Sequence, residues 1–334
     1  MRLPVPRGPI SERLFGELTA DPHDFGLPEE LAVPPAGPVV ADEDVQVALF
    51  ACYELHYQGF DEVDERWEWN RSMLAVRERL EEVFERALAA AVPPPPEAPA
   101  RGVPRLLIEM VPDGPWSLAD FLHKDACLDR FREFVAHRSL YHLKEADPHT
   151  WAIPRLRGPV KAALVEIQAD EYGGGRAGRM HSELFRHTMR ALGLDDAYGA
   201  YADLVPAITL AVGNAMSMFG LHRRHRGRLL GHLAAFEMTS SLPNLRYAQA
   251  LRRLGGGAAA RRYFDEHVQA DAVHEQIAVY DMCGRFAASH PWLTGDVLYG
   301  AACALTLDRL FAEHVLGRWR RGASSLLEPI TAGR

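Results

Sequence analysis

His267, Asp271 and His274 recur at i, i+4 and i+7 within the stretch RRYFDEHVQADAVHEQ. At ~100° per residue these positions fall within ~60° of one another on a helix surface. Two imidazoles and a carboxylate on one stripe suit a transition metal. The neighbours Val268, Ala270, Ala272, Val273 and Ile277 point to a largely buried helix. A buried Asp between two histidines then requires partners, which a metal would supply. The competing reading is a partly exposed amphipathic helix carrying two unrelated histidines.

Other helices must contribute the remaining ligands, and three regions carry ionisable residues in apolar helical surroundings. Glu237 stands in the nearly uncharged run GHLAAFEMTSS, where an unpaired carboxylate is costly to bury; a Glu hydrogen-bonded to a neighbouring helix competes with a ligand there. Glu171 precedes three successive glycines, 173 to 175, and His181 follows them. Three glycines inside a helix cost about 2–3 kcal/mol relative to alanines. The run therefore predicts a break, a bulge or a segment ordered by what binds between Glu171 and His181. A plain loop with His181 facing water is the alternative. The helix DRFREFVAHRSLYHLKEADPHTW places Phe134, Arg138, Tyr141 and Glu145 on one stripe. His142 rivals Glu145 as its metal-facing residue, while Arg138 and Tyr141 could orient ligands. Four carboxylates and three imidazoles suit iron or manganese better than structural zinc or calcium, and are too many for one ion but appropriate for two.

Helices must position these groups. Helical periodicity covers 43–58 and 71–92, a hairpin, and then 116–124, 126–146, 158–172, 178–193, 195–219, 225–241, 244–254, 257–288 and 294–319. Pro243, the glycines at 255–257 and Pro291 read as stops. Residues 105–111 form the one plausible strand, with a buried connector as its alternative. The acidic aromatic loop GFDEVDERWEWN could cover a pocket through Asp61, Trp67 and Trp69, or pack both Trp onto the bundle. Four consecutive prolines in AVPPPPEAPARGVP make a stiff connector. They divide an N-terminal arm and hairpin, residues 1–104, from an all-α bundle, residues 105–334.

A hydrophobic fraction of 48% and a charged fraction of 25% are those of a soluble globular protein. The net charge of −8, with scattered arginines, offers no field for nucleic acid. No apolar run reaches the ~18 residues of a spanning helix and the N-terminus lacks an apolar signal core, so a cytoplasmic chain with no membrane partner is expected. Cys52, Cys127, Cys283 and Cys303 form no CxxC pair and read as buried free thiols rather than zinc ligands or nucleophiles. A symmetric dimer is the base-rate expectation for oligomeric state.

The order Glu145, Glu171, His181, Glu237, His267, Asp271, His274 resembles the haem-oxygenase-like diiron oxidases, and among them the N-oxygenating members. The terminal HxxxDxxH and the ExxxxxxxxxH spanning the glycine run are its most specific parts. The resemblance covers roughly residues 120–320. It implies a helical bundle of about seven core helices of the haem oxygenase type, holding two irons rather than haem. By this resemblance His181, His274 and Glu145 would hold one iron region and Glu237, His267 and Asp271 the other. Glu171 would be the additional carboxylate associated with nitrogen oxidation. Rotation of Asp271 would control whether the second iron is held. The implied cofactors are two Fe ions cycling between Fe2+ and Fe3+, with O2 as co-substrate and an external electron donor acting as redox partner. The implied chemistry is N-oxygenation of an amine or guanidine in a small amino-acid-like substrate, through a peroxo species. Oxidative attack on carbon is the nearest alternative on this scaffold. A haem enzyme would use a proximal His without the carboxylate set. A ferritin-like store would carry two ExxH motifs, and the nearest sequence is DAVH at 271–274. A non-catalytic helical protein with a polar core is the last alternative.

Overall fold

A computed structural model describes residues 1–32, 37–111 and 118–330; the side chains of 30, 32 and 269–272 lie outside that description. The described residues contain helices and no strand, and none of the helices is long and apolar enough to cross a membrane. The N-terminal segment holds α1 (Pro9–Leu18), α2 (Glu43–Glu54) and α3 (Arg71–Ala91). Asp42 caps α2 by accepting from the Val45 amide, and Asn70 caps α3 by accepting from Ser72 and Met73. Every residue of α2 from Val45 to Glu54 is buried, as expected of a helix enclosed on all sides. It packs between α1, α3 and α10 (Ala207–Leu221). In α3 only one stripe is buried, through Met73, Val76, Leu80, Phe84 and Leu88.

The connector ends in a helix rather than a strand: α4 spans Val103–Met110. Pro104 sits in its first turn, where its missing amide costs nothing, and Val103 and Leu107 bury one face. The rest comprises α5 (Leu118–Lys124), α6 (Leu128–His142), α7 (Asp147–Thr150), α8 (Gly158–Glu171), α9 (His181–Ala191), α10, α11 (Arg226–Arg253), α12 (Ala258–Gln276), α13 (Arg285–Ser289) and α14 (Thr294–Arg320). Of these, α6, α8, α9, α10, α11, α12 and α14 are the long elements of the bundle. Side chains from both segments enter one apolar cluster.

Among the boundaries that differ from the periodicity, four show how local chemistry or packing intervenes. The helix expected over 126–146 stops at His142, and the next residues turn. The helix expected over 195–219 begins only at Ala207, because turns occupy 197–204 and Pro206 supplies its N-cap. Pro243 does not stop α11, which continues to Arg253. A proline there forfeits about 3 kcal/mol, and packing of α11 against α5, α12 and α14 outweighs it. The helix expected over 257–288 changes character after Gln276, where Ile277–Gly284 widens into a π-helix before α13.

Cys52, Cys283 and Cys303 are buried, but Cys127 is exposed, contrary to expectation. Burial raises the Cys52 and Cys303 thiols to about 12. In the aromatic loop only Trp67 packs inward, its indole donating to the Ala20 carbonyl at 3.1 Å, while Trp69 is 69% exposed.

The crossing of α11 and α14 fixes the centre of the bundle. A Cβ on Gly231 would lie 1.8 Å from the Val297 carbonyl oxygen, and one on Gly300 would lie 1.9 Å from that of Arg228. Backbone meets backbone here, six residues before Glu237. Gly231→Ala is expected to lower unfolding free energy by about 1–3 kcal/mol or more. Gly295→Ala, where a Cβ meets nothing, should leave it unchanged or raise it by up to about 1 kcal/mol. Urea denaturation of the two variants checks the difference, and equal effects would argue against a backbone-tight crossing.

Candidate metal centre

Glu171 is the last residue of α8 and His181 the first of α9. The three glycines between them are no part of an α-helix: Gly173, Gly174 and Gly175 take φ of +64°, +59° and +75°. These are left-handed values that side chains disfavour. Gly173 has a further reason, since a Cβ there would lie 2.5 Å from the Arg179 carbonyl carbon and 2.6 Å from the Met180 nitrogen. The reversal folds α9 back so that His181 Nδ1 stands 2.8 Å from Glu171 Oε2.

The stripe on α12 supplies His267 and His274. His267 Nδ1–H donates to the Tyr263 carbonyl one turn earlier at 2.9 Å, because a carbonyl can only accept. That leaves the His267 Nε2 lone pair directed at the cluster, 3.7 Å from Glu145 Oε1. Tyr263 is 1% exposed, and its hydroxyl reaches both Glu145 oxygens at 2.9 Å. His142 Nδ1–H donates to Glu145 Oε1 at 3.0 Å. The Phe185 ring covers this group, 4.7 Å from His142 and 4.9 Å from Tyr263 between centroids. On the other side His274 Nε2–H donates to Asp170 Oδ2 at 3.0 Å, leaving Nδ1 3.5 Å from Glu237 Oε2.

Two donor sets result. Glu145, Glu171, His181 and His267 each offer a ligand atom within 4.8 Å of the others, and so do Glu171, Glu237 and His274. All six residues are buried and Glu171 belongs to both sets. Ligands on opposite sides of a metal with bonds of about 2.0–2.2 Å lie roughly 4 Å apart, so each set can surround one ion. Glu171 Oε2 and His181 Nδ1 face each other at 2.8 Å and His274 Nδ1 faces Glu237 Oε2 at 3.5 Å, contacts outside hydrogen-bond geometry that a cation between the atoms would satisfy. The nitrogen and oxygen donors fit iron.

The electrostatics favour positive charge at both sets. Burial opposes ionisation of Glu145, yet the adjacent His142 and His267 hold its carboxyl well below the usual range. Burial also opposes protonation of His274, but Glu237, Asp170 and Glu171 together raise it to about 9. His181 is raised by Glu171 against the same burial. Burial, then Glu145, pushes the Tyr263 phenol far up, so it stays a donor.

The structure therefore brings together Glu145, Glu171, His181, Glu237, His267 and His274. Asp271 lies on α12, and its side chain falls outside the described residues. The division implied by family resemblance changes: His267, not His274, stands with Glu145 and His181, and His274 stands with Glu237. The reason is the α12 stripe, whose His267 turn faces α9 and the α6 turn while its His274 turn faces α8 and α11. Arg138 does not reach Glu145; it pairs with Asp308 of α14 at 2.7 Å and stacks on Phe311. Tyr141 does lie near the three carboxylates, which with burial push its phenol up. Glu145 and His142, treated as rivals, share the site. Val273 is 59% exposed rather than buried. Two contributors escaped sequence reasoning. Tyr263 continues the His267 stripe one turn back and was available to periodicity. Asp170 is 65% exposed and carried no signal.

Residues 132–309, more than half of the chain and a span that includes Glu145, Glu171, His181, Glu237, His267, Asp271 and His274, match the family described as iron-containing redox enzymes. The chain is also similar to nitrosourea synthase from Streptomyces achromogenes subsp. streptozoticus, 28% identical over 138 residues. That similarity covers 41% of this chain and 29% of the relative, so the chain spans less than a third of the relative's length.

Replacing Asp170 by Asn removes the anion that fixes His274 with Nδ1 facing the cluster. Affinity for ferrous ion at the Glu237–His274 set should fall about 10- to 100-fold, leaving the other set unaffected. Anaerobic titration calorimetry checks this, and unchanged binding would mean that Asp170 does not orient the imidazole.

Proposed function

The chain belongs to the iron-containing redox enzymes, a helical family of the haem oxygenase type, and from that premise we propose a diiron oxygenase that oxidises nitrogen. The observation that carries this reading is Glu171, among the described residues the one carboxylate common to two buried donor sets. Glu145, His181 and His267 would hold one iron and Glu237 and His274 the other, with Glu171 between them. Asp271 is the further ligand expected on α12. Bound iron would supply the redox chemistry with O2, using electrons from an external donor.

The chain's own residues do the rest. Tyr263 keeps a proton on its hydroxyl against Glu145, and Asp170 keeps one on His274 Nε2, so each ligand presents one fixed atom. The Phe185 ring packs on His142, and the Tyr141 ring packs against Phe236. A narrow space of about 30 Å³ lies along α6, lined by Tyr141, Arg138, Val212, Asn214, Phe311 and Phe50, with room for little more than water. The nitrosourea synthase is named for a product with oxidised nitrogen, and Glu171 is the carboxylate whose counterpart marks N-oxygenating members. Both favour an amine or guanidine nitrogen over carbon.

Anaerobic titration of the wild-type chain is expected to reach two ferrous ions, and O2 uptake in the presence of amino acids bearing amine or guanidine side chains should yield an N-hydroxylated product by mass spectrometry. Glu171→Ala should abolish the second ion and cut turnover by at least about 100-fold. Uptake of a single ion would defeat the two-iron reading. A desaturated or cleaved carbon chain with its nitrogen unoxidised would replace N-oxygenation by carbon oxidation.

A further inference from the structure

Glu145 is the donor of the first set that no regular helix holds. α6 ends at His142, and Glu145 sits in the turn that follows. That turn closes at Ala146 with φ +77°, the one non-glycine residue with positive φ among those described. A Cβ disfavours this conformation, so surrounding contacts must impose it. Two do. From α8, Gln168 Nε2 donates to the Ala146 carbonyl at 2.8 Å and to Thr150 Oγ1 at 2.6 Å. From the opposite side the Lys144 ammonium donates to the Glu54 carboxylate of α2. Lys144 is 4% exposed and Glu54 fully buried. Tyr198 donates to the second Glu54 oxygen at 2.6 Å. The Tyr57 and Phe50 rings lie 4.3 and 5.6 Å from the ammonium.

This pair joins a residue next to a proposed ligand with a helix that lies far outside the matched residues 132–309. Buried ion pairs add little net stability over well-packed apolar groups of the same size, because desolvation offsets their attraction. What such a pair supplies is a fixed place for the backbone carrying it. Here that backbone is the strained turn, and its next residue is Glu145.

We propose that Lys144 and Glu54 are positioning residues for the metal centre: through them the N-terminal hairpin sets the place of Glu145, and with it the affinity of the Glu145–His181–His267 set. The inference rests on the two-iron reading above. It makes the first hundred residues part of the site rather than an appendage.

The test uses the full chain and ferrous ion under anaerobic conditions. Single replacements leave one buried charge unpaired and can unfold the chain, so the informative variant is the double replacement Glu54→Gln with Lys144→Met, which removes both charges. It is expected to fold, to bind one ion at the Glu237–His274 set as the wild type does, and to bind the other about 10- to 100-fold more weakly. Lys144→Arg alone, which keeps the pair with Glu54, should retain most of the wild-type affinity. A pair that only tied the hairpin to the bundle would shift the melting temperature and leave both affinities alike. Two wild-type affinities in the double variant would overturn the proposal while leaving the two-iron reading intact. A wild-type chain that takes up no ferrous ion would overturn both.

Discussion

Glu145, Glu171 and Glu237 are carried out of water into the middle of one helical bundle, close enough that Glu171 lies in two donor sets at once. Carboxylates in a medium of low dielectric repel one another and lose hydration that nearby imidazoles replace only in part. The site therefore demands positive charge, and the arrangement around it meets that demand. His274 is raised to about 9 by its acidic neighbours against the effect of burial, and His181 is raised in the same way. A helical bundle suits such a centre because each helix satisfies its own backbone, leaving the polar capacity of the interior to side chains.

The six described donors divide by how the fold holds them. Glu237, His267 and His274 sit within long helices, where neighbouring turns fix their direction. Glu171 and His181 sit at the end of one helix and the start of the next, and Glu145 sits in a turn. The second kind depends on joints. Three left-handed glycines make one joint and the strained Ala146 turn makes the other. Gln168 links them, lying one turn before Glu171 and bonding to the Ala146 carbonyl.

That division also decides what the sequence made legible. Donors inside helices announce themselves through periodicity, as His267 and His274 did, or through isolation in apolar surroundings, as Glu237 did. At joints periodicity fails: the helix expected to carry Glu145 ends three residues earlier, and the glycine run showed that something breaks without showing where it leads. Glu171 and His181 were candidates because they flank the glycine run and Glu145 because it ends a stripe, and the family resemblance only joined them to the other donors. Helix ends were misread where tertiary packing overrides local preference, as at Pro243. Geometry reassigned the partners of His267 and His274, because sequence order does not say which turn of α12 faces which neighbour.

The two donor sets are unequal among the described residues. Glu145, Glu171, His181 and His267 give four protein ligands, enclosed by Tyr263, His142 and Phe185. Glu171, Glu237 and His274 give three, and His274 is oriented by an Asp170 that is 65% exposed. The shorter set adjoins a change of helical form, since the π-helix begins at Ile277, three residues after His274. Single-turn widenings of this kind cluster at functional sites, where they rephase a helix without ending it. An ion in the four-ligand set would be sealed by packing; one in the three-ligand set would have fewer bonds to the protein. Glu171 belongs to both sets, so its orientation would bear on either position. The position with fewer protein bonds would be the one more open to exchange.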